Sequence, residues 1–200
     1  YLEIGNENNQ PDPSQQSDNY YKRYQLFKDV VLAKYPNMHI IGNVAAWGTD
    51  YPKWESDQKV DLVDEHYYRT PGWFADKFHH YDNYDRKGPD VYVGEYAVTQ
   101  GFGRVGNLNA ALGEAVFMMG MENNSDIVKM ASYAPIFANI NETRWRPDMI
   151  QFNAEKAFGT PSYYVQKVMA ENVGTRIIKT EQQNPYENSN VEVKVKPATC

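Results

Sequence analysis

The sequence has little of what marks several large classes of protein. Its 200 residues include one cysteine, Cys200, which excludes an internal disulfide and a cysteine-based metal site. No apolar run approaches the roughly 20 residues that span a bilayer, and no signal peptide opens the chain. A P-loop and a glycine-rich phosphate turn are also absent. Because 26 acidic residues outnumber 20 basic ones, we expect neither a nucleic acid nor a membrane as partner.

Aromatic residues are plentiful instead. The chain has 16 Tyr, 8 Phe and 4 Trp, and hydrophobic residues make up 42% of it, so a disordered chain is excluded. Many of the rings stand beside amides and carboxylates. Such rings suit the apolar faces of sugars, although core aromatics with polar tips produce the same pattern. The length fits one domain, or one domain and a piece of a second.

The order of predicted elements is strand and helix in alternation. We predict strands at residues 1–4, 39–44, 60–67, 91–98 and 128–137, and helices at 19–34, 71–84, 109–121 and 160–172. This pattern predicts an α/β fold with a parallel sheet. It resembles about five of the eight units of a (β/α)₈ TIM-type barrel. A five-stranded, open, doubly wound sheet is the alternative, but no glycine-rich turn supports it.

The pattern changes after Gly174. Residues 175–179 and 191–196 alternate between apolar and polar, which is typical of antiparallel strands. We therefore predict two regions, a βα-repeating domain at 1–173 and the start of a β-rich domain at 174–200.

Polar residues follow the predicted strands at their carboxyl ends, where parallel α/β folds place active sites. Glu7 follows the first strand, His66 and Tyr68 end the third, and Glu95 lies in the fourth. A carboxylate within an apolar strand such as VYVGEYAV needs a structural salt bridge or a function. Two carboxylates about 5 Å apart are what a retaining glycosidase requires.

Several motifs resemble one clan of retaining (β/α)₈ glycosidases. YLEIGNE, at residues 1–7, resembles its fourth strand with the Asn-Glu pair, and VGEYAV, at 93–98, resembles its seventh. The spacing of His66 and Tyr68 is similar to the clan's sixth strand. The stretches TPSYYVQK, at 160–167, and ASYAPIF, at 131–137, resemble family 51 α-L-arabinofuranosidases.

The resemblance implies a role for each matching residue. Glu7 would be the acid/base, Glu95 the nucleophile, and Asn6 a ligand of the sugar 2-hydroxyl. Tyr68 would orient Glu95, with His66 beside it. An alternative for His66 is a structural contact at the strand end.

Three further residues receive an assignment. Trp145 would line the sugar site, with ordinary packing as its alternative. Glu3 and Glu65 are interpreted as structural, because they lie one step inside their strands.

The resemblance also implies what the whole protein does. It would be a retaining exo-α-L-arabinofuranosidase that acts on arabinan or arabinoxylan side chains and uses no cofactor or metal. The segment would supply barrel strands 4–8 and the start of a β-sandwich. It would form a homo-oligomer or assemble with the N-terminal half, and a secreted or periplasmic location is favoured. An endo-β-glycanase of the same clan and a non-catalytic carbohydrate-binding fragment remain as alternatives.

Overall fold

The computed structural model describes residues 1–8, 18–45, 60–146 and 149–176. The chain divides into two compact units, which comprise residues 1–165 and residues 166–200. Residues 177–200 lie outside the described part, so the predicted β-rich region at 174–200 stays a prediction.

The helices and strands follow one another in the chain order given next, and the last helix crosses the boundary between the two units. The elements are β1 Leu2–Ile4, α1 Asp18–Lys34, β2 Ile40–Ala45, β3 Leu62–Arg69, α2 Pro71–Asp76, β4 Asp90–Val98, α3 Leu108–Asn123, β5 Val128–Tyr133, β6 Phe137–Asn139, β7 Ile150–Phe152, β8 Ala157–Gly159 and α4 Pro161–Glu171. Local side chains start two of the helices. Thr70 Oγ1 accepts the N–H of Trp73 at α2, and Asn107 Oδ1 accepts the N–H of Ala110 at α3.

The first five strands form one parallel sheet in the order β1-β2-β3-β4-β5. This confirms the predicted α/β class with a parallel sheet. The order is sequential and lacks the reversal that defines a doubly wound sheet. The doubly wound alternative is therefore wrong for the described strands.

Helices cover one face of this sheet. Phe117 of α3 lies at the centre of that layer, with ring centroids 5.8 Å from Tyr67 of β3, 5.2 Å from Phe74 of α2 and 6.0 Å from Tyr96 of β4. All four rings are at most 1% exposed. The opposite face of the sheet is thereby left to carry the polar side chains of the strands.

Two predicted elements have different bounds in the structure. The helix predicted at 71–84 ends at Asp76, and turns follow it. Tyr81 and Tyr84 in these turns direct their hydroxyls to the buried carboxylate of Glu65.

The strand predicted at 128–137 divides into β5 and β6, which belong to different sheets. Pro135 lies between them and has no N–H to donate to a ladder. A second sheet of three short strands, in the order β6-β7-β8, was not predicted.

Candidate active site

A strained turn after β1 presents Glu7. Gly5 has φ +91°, and a Cβ there would lie 1.9 Å from Asn8 Oδ1, so this turn needs glycine. Glu7 has φ +50°, in the left-handed region that costs a non-glycine residue of order 1–3 kcal/mol. Backbone strain of this kind concentrates at functional sites, which favours a functional interpretation of Glu7.

The alternation of β3 separates two sets of side chains. His66 and Tyr68 point away from the helices, towards Glu7 and Glu95. Glu65 and Tyr67 point into the helical layer, where Tyr67 packs on Phe117. Tyr67 is therefore on the wrong face to orient Glu95, and Tyr68 is on the right one.

A bulge in β4 aims Glu95. The pairing of β3 with β4 runs from Asp64–Tyr92 to His66–Glu95, so β4 carries one extra residue between the two pairs. Such a bulge re-aims the side chains that follow it. Glu95 consequently stands opposite His66, on the same face of the sheet.

The side chains of Glu7, His66, Tyr68 and Glu95 meet at one place. His66 Nδ1 lies 3.0 Å from Glu7 Oε1 and 3.5 Å from Glu95 Oε2. The Tyr68 hydroxyl donates to Glu95 Oε2 at 2.5 Å. One carboxylate oxygen of Glu7 lies within 4.8 Å of one of Glu95. The separation is close to the spacing of retaining glycosidases and shorter than that of inverting ones.

Solvent reaches both carboxylates, although the groups that hold them are buried. The side chains of Glu7 and Glu95 are 21% and 29% exposed, whereas that of His66 is 3% exposed. The two acids are thus open to a ligand from one side and fixed by the protein from the other.

Electrostatics give His66 and Tyr68 fixed protonation states. Burial alone would lower the pKa of His66, but the hydrogen bond and charge of Asp64, followed by Glu7 and Glu95, raise it to about 9. Burial, with the hydrogen bond to Glu95 and its charge, raises the pKa of Tyr68 well above its usual range. At neutral pH His66 is therefore a cation and Tyr68 a hydrogen-bond donor.

Glu7, His66 and Glu95 also have a spacing that a metal ion would accept. One ligand atom of each residue lies within 4.8 Å of those of the other two. A metal needs a neutral imidazole with a free lone pair. His66 has a raised pKa and directs both ring nitrogens to carboxylates. Both ring nitrogens of His66 are therefore already engaged by carboxylates in this structure.

Two predicted sugar contacts lie at the edge of this cluster. Asn6 precedes Glu7 on the strained turn and is exposed, and its N–H donates to Asn8 Oδ1. Trp145 is 46% exposed, and its ring centroid lies 5.7 Å from that of Tyr68. Both residues are exposed to solvent.

Glu65 has the structural role that its position predicts. The carboxylate is buried on the helical side, where it accepts hydrogen bonds from the hydroxyls of Tyr67, Tyr81 and Tyr84 at 2.8–3.0 Å. Three donors compensate for the cost of burying this group, although burial still raises the pKa of Glu65.

Comparison with known proteins identifies the family of this chain. Residues 1–86 match the model of the α-L-arabinofuranosidase 1 domain, and residues 94–197 match the model of the α-L-arabinofuranosidase C-terminal domain. A solved structure titled as an arabinose-bound MgGH51 α-L-arabinofuranosidase superposes with a TM-score of 0.75 at 32% identity, covering 88% of this chain and 28% of that one. The chain belongs to the family 51 α-L-arabinofuranosidases.

The curated relatives come from bacteria, plants and fungi. The chain is 39% identical over 186 residues to an extracellular exo-α-L-arabinofuranosidase of Streptomyces chartreusis, covering 90% of this chain and 21% of that protein. It is 41% identical over 179 residues to α-L-arabinofuranosidase 1 of Arabidopsis thaliana, covering 89% and 25%. The chain therefore spans about a quarter or less of the length of these relatives, which as a family are glycoside hydrolases.

Some residues near the candidate site were not predicted. Asp64 contacts His66, and Asn43 Nδ2 donates to Glu3 Oε1 at 2.6 Å behind the cluster. Asp64 lies two residues before His66 in a strand, and this spacing of two was the signal that would have placed it on the same face. The sequence gives no comparable signal for Asn43, because only the register of β2 in the sheet brings its side chain close to Glu3.

Proposed function

We propose that this segment carries the catalytic pair of a retaining exo-α-L-arabinofuranosidase. The observation that supports this most strongly is the approach of one Glu7 carboxylate oxygen to within 4.8 Å of one of Glu95. The spacing leaves room for attack on a sugar carbon and too little for a water between acid and base. The names of the curated relatives favour an arabinofuranosidase over an endo-β-glycanase of the same clan.

In the first step Glu95 acts as the nucleophile. Its carboxylate attacks the anomeric carbon of a terminal arabinofuranosyl group and forms an ester. Glu7 gives its proton to the glycosidic oxygen as the bond to that oxygen breaks, so the leaving group departs as an alcohol. The hydroxyl of Tyr68 holds Glu95 in line for this attack.

In the second step Glu7 changes its role. Its carboxylate, ionised after the first transfer, takes a proton from water, and this water attacks the anomeric carbon from the face that the leaving group left. The ester bond breaks, Glu95 is released as a carboxylate, and arabinose leaves with its anomeric configuration retained. The positive charge of His66 favours the ionised Glu95 that attacks in the first step and the ionised Glu7 that accepts a proton in the second, whereas it does not help Glu7 to hold the proton that the first step needs.

The sugar contacts follow from the residues around the pair. Asn6, next to Glu7 and exposed, is placed to bind the 2-hydroxyl, and the half-exposed ring of Trp145 offers an apolar face beside Tyr68. We expect the natural substrates to be arabinose-containing oligo- or polysaccharides such as arabinan and arabinoxylan side chains. These contacts also fit a carbohydrate-binding fragment, which would bind such sugars without hydrolysing them.

The sequential parallel order of β1 to β5 supports a barrel. We propose that these strands and their helices belong to a (β/α)₈ barrel, as strands 4–8 of the catalytic domain. Residues 174–200 would then begin a β-sandwich. Assembly with an N-terminal half, or formation of a homo-oligomer, would complete the sheet.

A secreted or periplasmic location is the last part of the proposal. The Streptomyces chartreusis relative is named an extracellular enzyme. In the described part of the chain, no helix has both the length and the apolar character to cross a membrane.

Hydrolysis of 4-nitrophenyl α-L-arabinofuranoside tests the roles of the two glutamates. The assay compares the complete protein that contains this segment with its Glu7→Ala and Glu95→Ala variants. We expect Glu95→Ala to reduce turnover to background, because the nucleophile is gone. We expect Glu7→Ala to lose about 10²–10⁴-fold, as is typical when general acid–base catalysis is removed. Glu155→Ala, which changes an exposed glutamate of a turn, is the matched control and should retain full activity.

Added azide separates the two roles. In Glu95→Ala it should attack the sugar directly and give an arabinosyl azide of inverted configuration. In Glu7→Ala it should attack the ester and give the azide of retained configuration. Wild-type turnover in Glu95→Ala would contradict the proposal, and sugar binding without hydrolysis by the complete protein would favour the carbohydrate-binding alternative.

A further inference from the structure

Asp64 is a buried acid that the two-step mechanism does not use. It is 1% exposed and lies on β3, two residues before His66 and four before Tyr68. The alternation of the strand therefore places these three side chains on the face that carries the candidate site. A carboxylate buried this deeply needs compensating contacts, and Asp64 has them at both oxygens.

One oxygen holds the imidazole. Asp64 Oδ2 lies 2.6 Å from His66 Nε2, while Nδ1 of the same ring faces Glu7 at 3.0 Å and Glu95 at 3.5 Å. Carboxylates accept hydrogen bonds, so both ring nitrogens have to carry protons for all of these contacts to be favourable. The hydrogen bond and charge of Asp64 are the largest of the effects that raise the pKa of His66, against the opposing effect of burial.

The other oxygen holds the backbone that carries Glu95. Asp64 Oδ1 accepts the N–H of Gly94 at 2.9 Å, within the bulge of β4. A Cβ on residue 94 would lie 2.1 Å from this oxygen. Glycine at position 94 is therefore what allows the carboxylate to approach the strand, directly before Glu95.

A second acid lies behind Asp64. Glu3 of β1 is partly buried, and burial, followed by the charge of Asp64 and a hydrogen bond to it, raises the pKa of Glu3 to about 7. Below that pH the protonated Glu3 can donate a hydrogen bond to Asp64, which remains an acceptor for His66. The charged and titratable groups that face the imidazole are thus Glu3, Glu7, Asp64 and Glu95, with the Tyr68 hydroxyl on Glu95.

We propose that Asp64 is a positioning residue of the site, which keeps His66 protonated on both ring nitrogens between the two glutamates and fixes the bulge that aims Glu95. This inference rests on the proposed function, because it assigns Asp64 a purpose through Glu7 and Glu95. It predicts that the charge of His66, and not only its shape, sets the pH range of the enzyme.

Asp64→Asn removes the charge and leaves the shape. Its single oxygen can accept the Gly94 N–H, which orients the amide NH₂ towards His66 Nε2. An NH₂ donor there requires a lone pair on Nε2, so His66 becomes neutral with its proton on Nδ1. Loss of the positive charge disfavours the ionised form of both nearby carboxylates. We therefore expect both limbs of the kcat/KM profile against pH to move upward by about 1 pH unit.

The control is Glu65→Gln, which changes the next residue of β3. Glu65 is also a buried carboxylate, but it faces the tyrosines of the helical side. We expect this variant to lose stability while both limbs of its profile stay in place. Equal loss of activity at every pH in Asp64→Asn, with unmoved limbs, would overturn the inference and leave a merely structural role.

A measurement that needs no substrate separates this inference from the proposed function. In the complete protein labelled with ¹⁵N-histidine, His66 is assigned through His66→Gln, and the protons bonded to its ring nitrogens are detected at pH 7. We expect two such protons in the parent and one, on Nδ1, in Asp64→Asn. A single ring proton in the parent would overturn the inference whether or not sugar is hydrolysed. Two ring protons without arabinofuranoside hydrolysis would support the protonation state and contradict the proposed function.

Discussion

At the scale of single residues, the contacts of the candidate site are few and short. The nucleophile candidate Glu95 meets the hydroxyl of Tyr68 at 2.5 Å and the ring of His66 at 3.5 Å. Glu7 meets the same ring at 3.0 Å. One imidazole thus lies between the two acids, and a change in its charge acts on both of them.

Tyr68→Phe tests the hydrogen bond to Glu95 alone. The ring and its packing on Trp145 remain, while the donor is lost. A hydrogen bond to a charged group contributes about 1.5–3 kcal/mol, so we expect kcat to fall roughly 10- to 150-fold. Steady-state kinetics on 4-nitrophenyl α-L-arabinofuranoside measure the change.

Tyr84→Phe is the matched control for this variant. It also removes a tyrosine hydroxyl that donates to a glutamate, since Tyr84 lies 2.9 Å from Glu65 Oε1 on the helical side. We expect lower thermal stability and an unchanged kcat. A similar fall in kcat in both variants would contradict a specific role for Tyr68.

The site residues differ in how far the sequence alone could reveal them. Glu7 follows a predicted strand, His66 and Tyr68 end another, and Glu95 lies within a third, and the structure brings all four together. The pattern of hydrophobic residues does not indicate the left-handed backbone of Glu7, because this pattern reflects burial and gives no information on φ. Asp64 was overlooked for a similar reason, since its partner on β4 is a backbone N–H made available by a bulge.

At the scale of elements, a buried acid connects α3 to the end of β4. Glu114 of α3 is fully buried, and its Oε1 accepts the N–H of Val98 at 2.9 Å. Burial is the main cause that raises the pKa of Glu114 from 4.5 to about 7. The folded protein therefore keeps this proton to a higher pH than the unfolded chain does.

Glu114→Gln tests that connection. Because the pKa of Glu114 is higher in the folded state, its contribution to stability is full below pH 4.5 and is lost as the pH rises to 7. Glutamine keeps the acceptor for Val98 and cannot ionise. We expect the free energy of unfolding of the variant, relative to the parent, to rise by roughly 3 kcal/mol between pH 4 and pH 8.

Urea unfolding of both proteins across this pH range measures the difference. Glu155→Gln, at an exposed turn, is the control and should follow the parent at every pH. A constant difference between Glu114→Gln and the parent would show that Glu114 does not change its protonation on folding.

The sequence predicts the bounds of the long periodic helices well and does not reveal three of the short strands. The helices α1 and α3 span 17 and 16 residues, and their predicted bounds are close to the observed ones. The strands β6, β7 and β8 have three residues each, which is too short for an alternating pattern to be recognised. The turns after α2 carry Tyr81 and Tyr84, whose hydroxyls contact Glu65 of β3, and a tertiary contact of this kind is not contained in the local pattern.

At the scale of the whole molecule, the parallel sheet was predictable and its closure was not. Alternating strands and helices led to the α/β class, and the sequential order of β1 to β5 agrees with it. In the part of the chain that the structure describes, β1 and β5 each pair with one strand only. Closure into a barrel stays part of the proposal, because the segment spans about a quarter or less of the length of its curated relatives.

The central claim is that Glu95 forms a covalent bond to the sugar. An arabinofuranoside with fluorine at carbon 2 and a good leaving group slows the second step more than the first, so the ester accumulates. Incubation of the complete protein with this compound, trypsin digestion and mass spectrometry then locate the label. The account predicts the added sugar on the peptide of residues 88–104, which contains Glu95 as its one glutamate. A label on Glu7, or turnover with no labelled peptide, would contradict it.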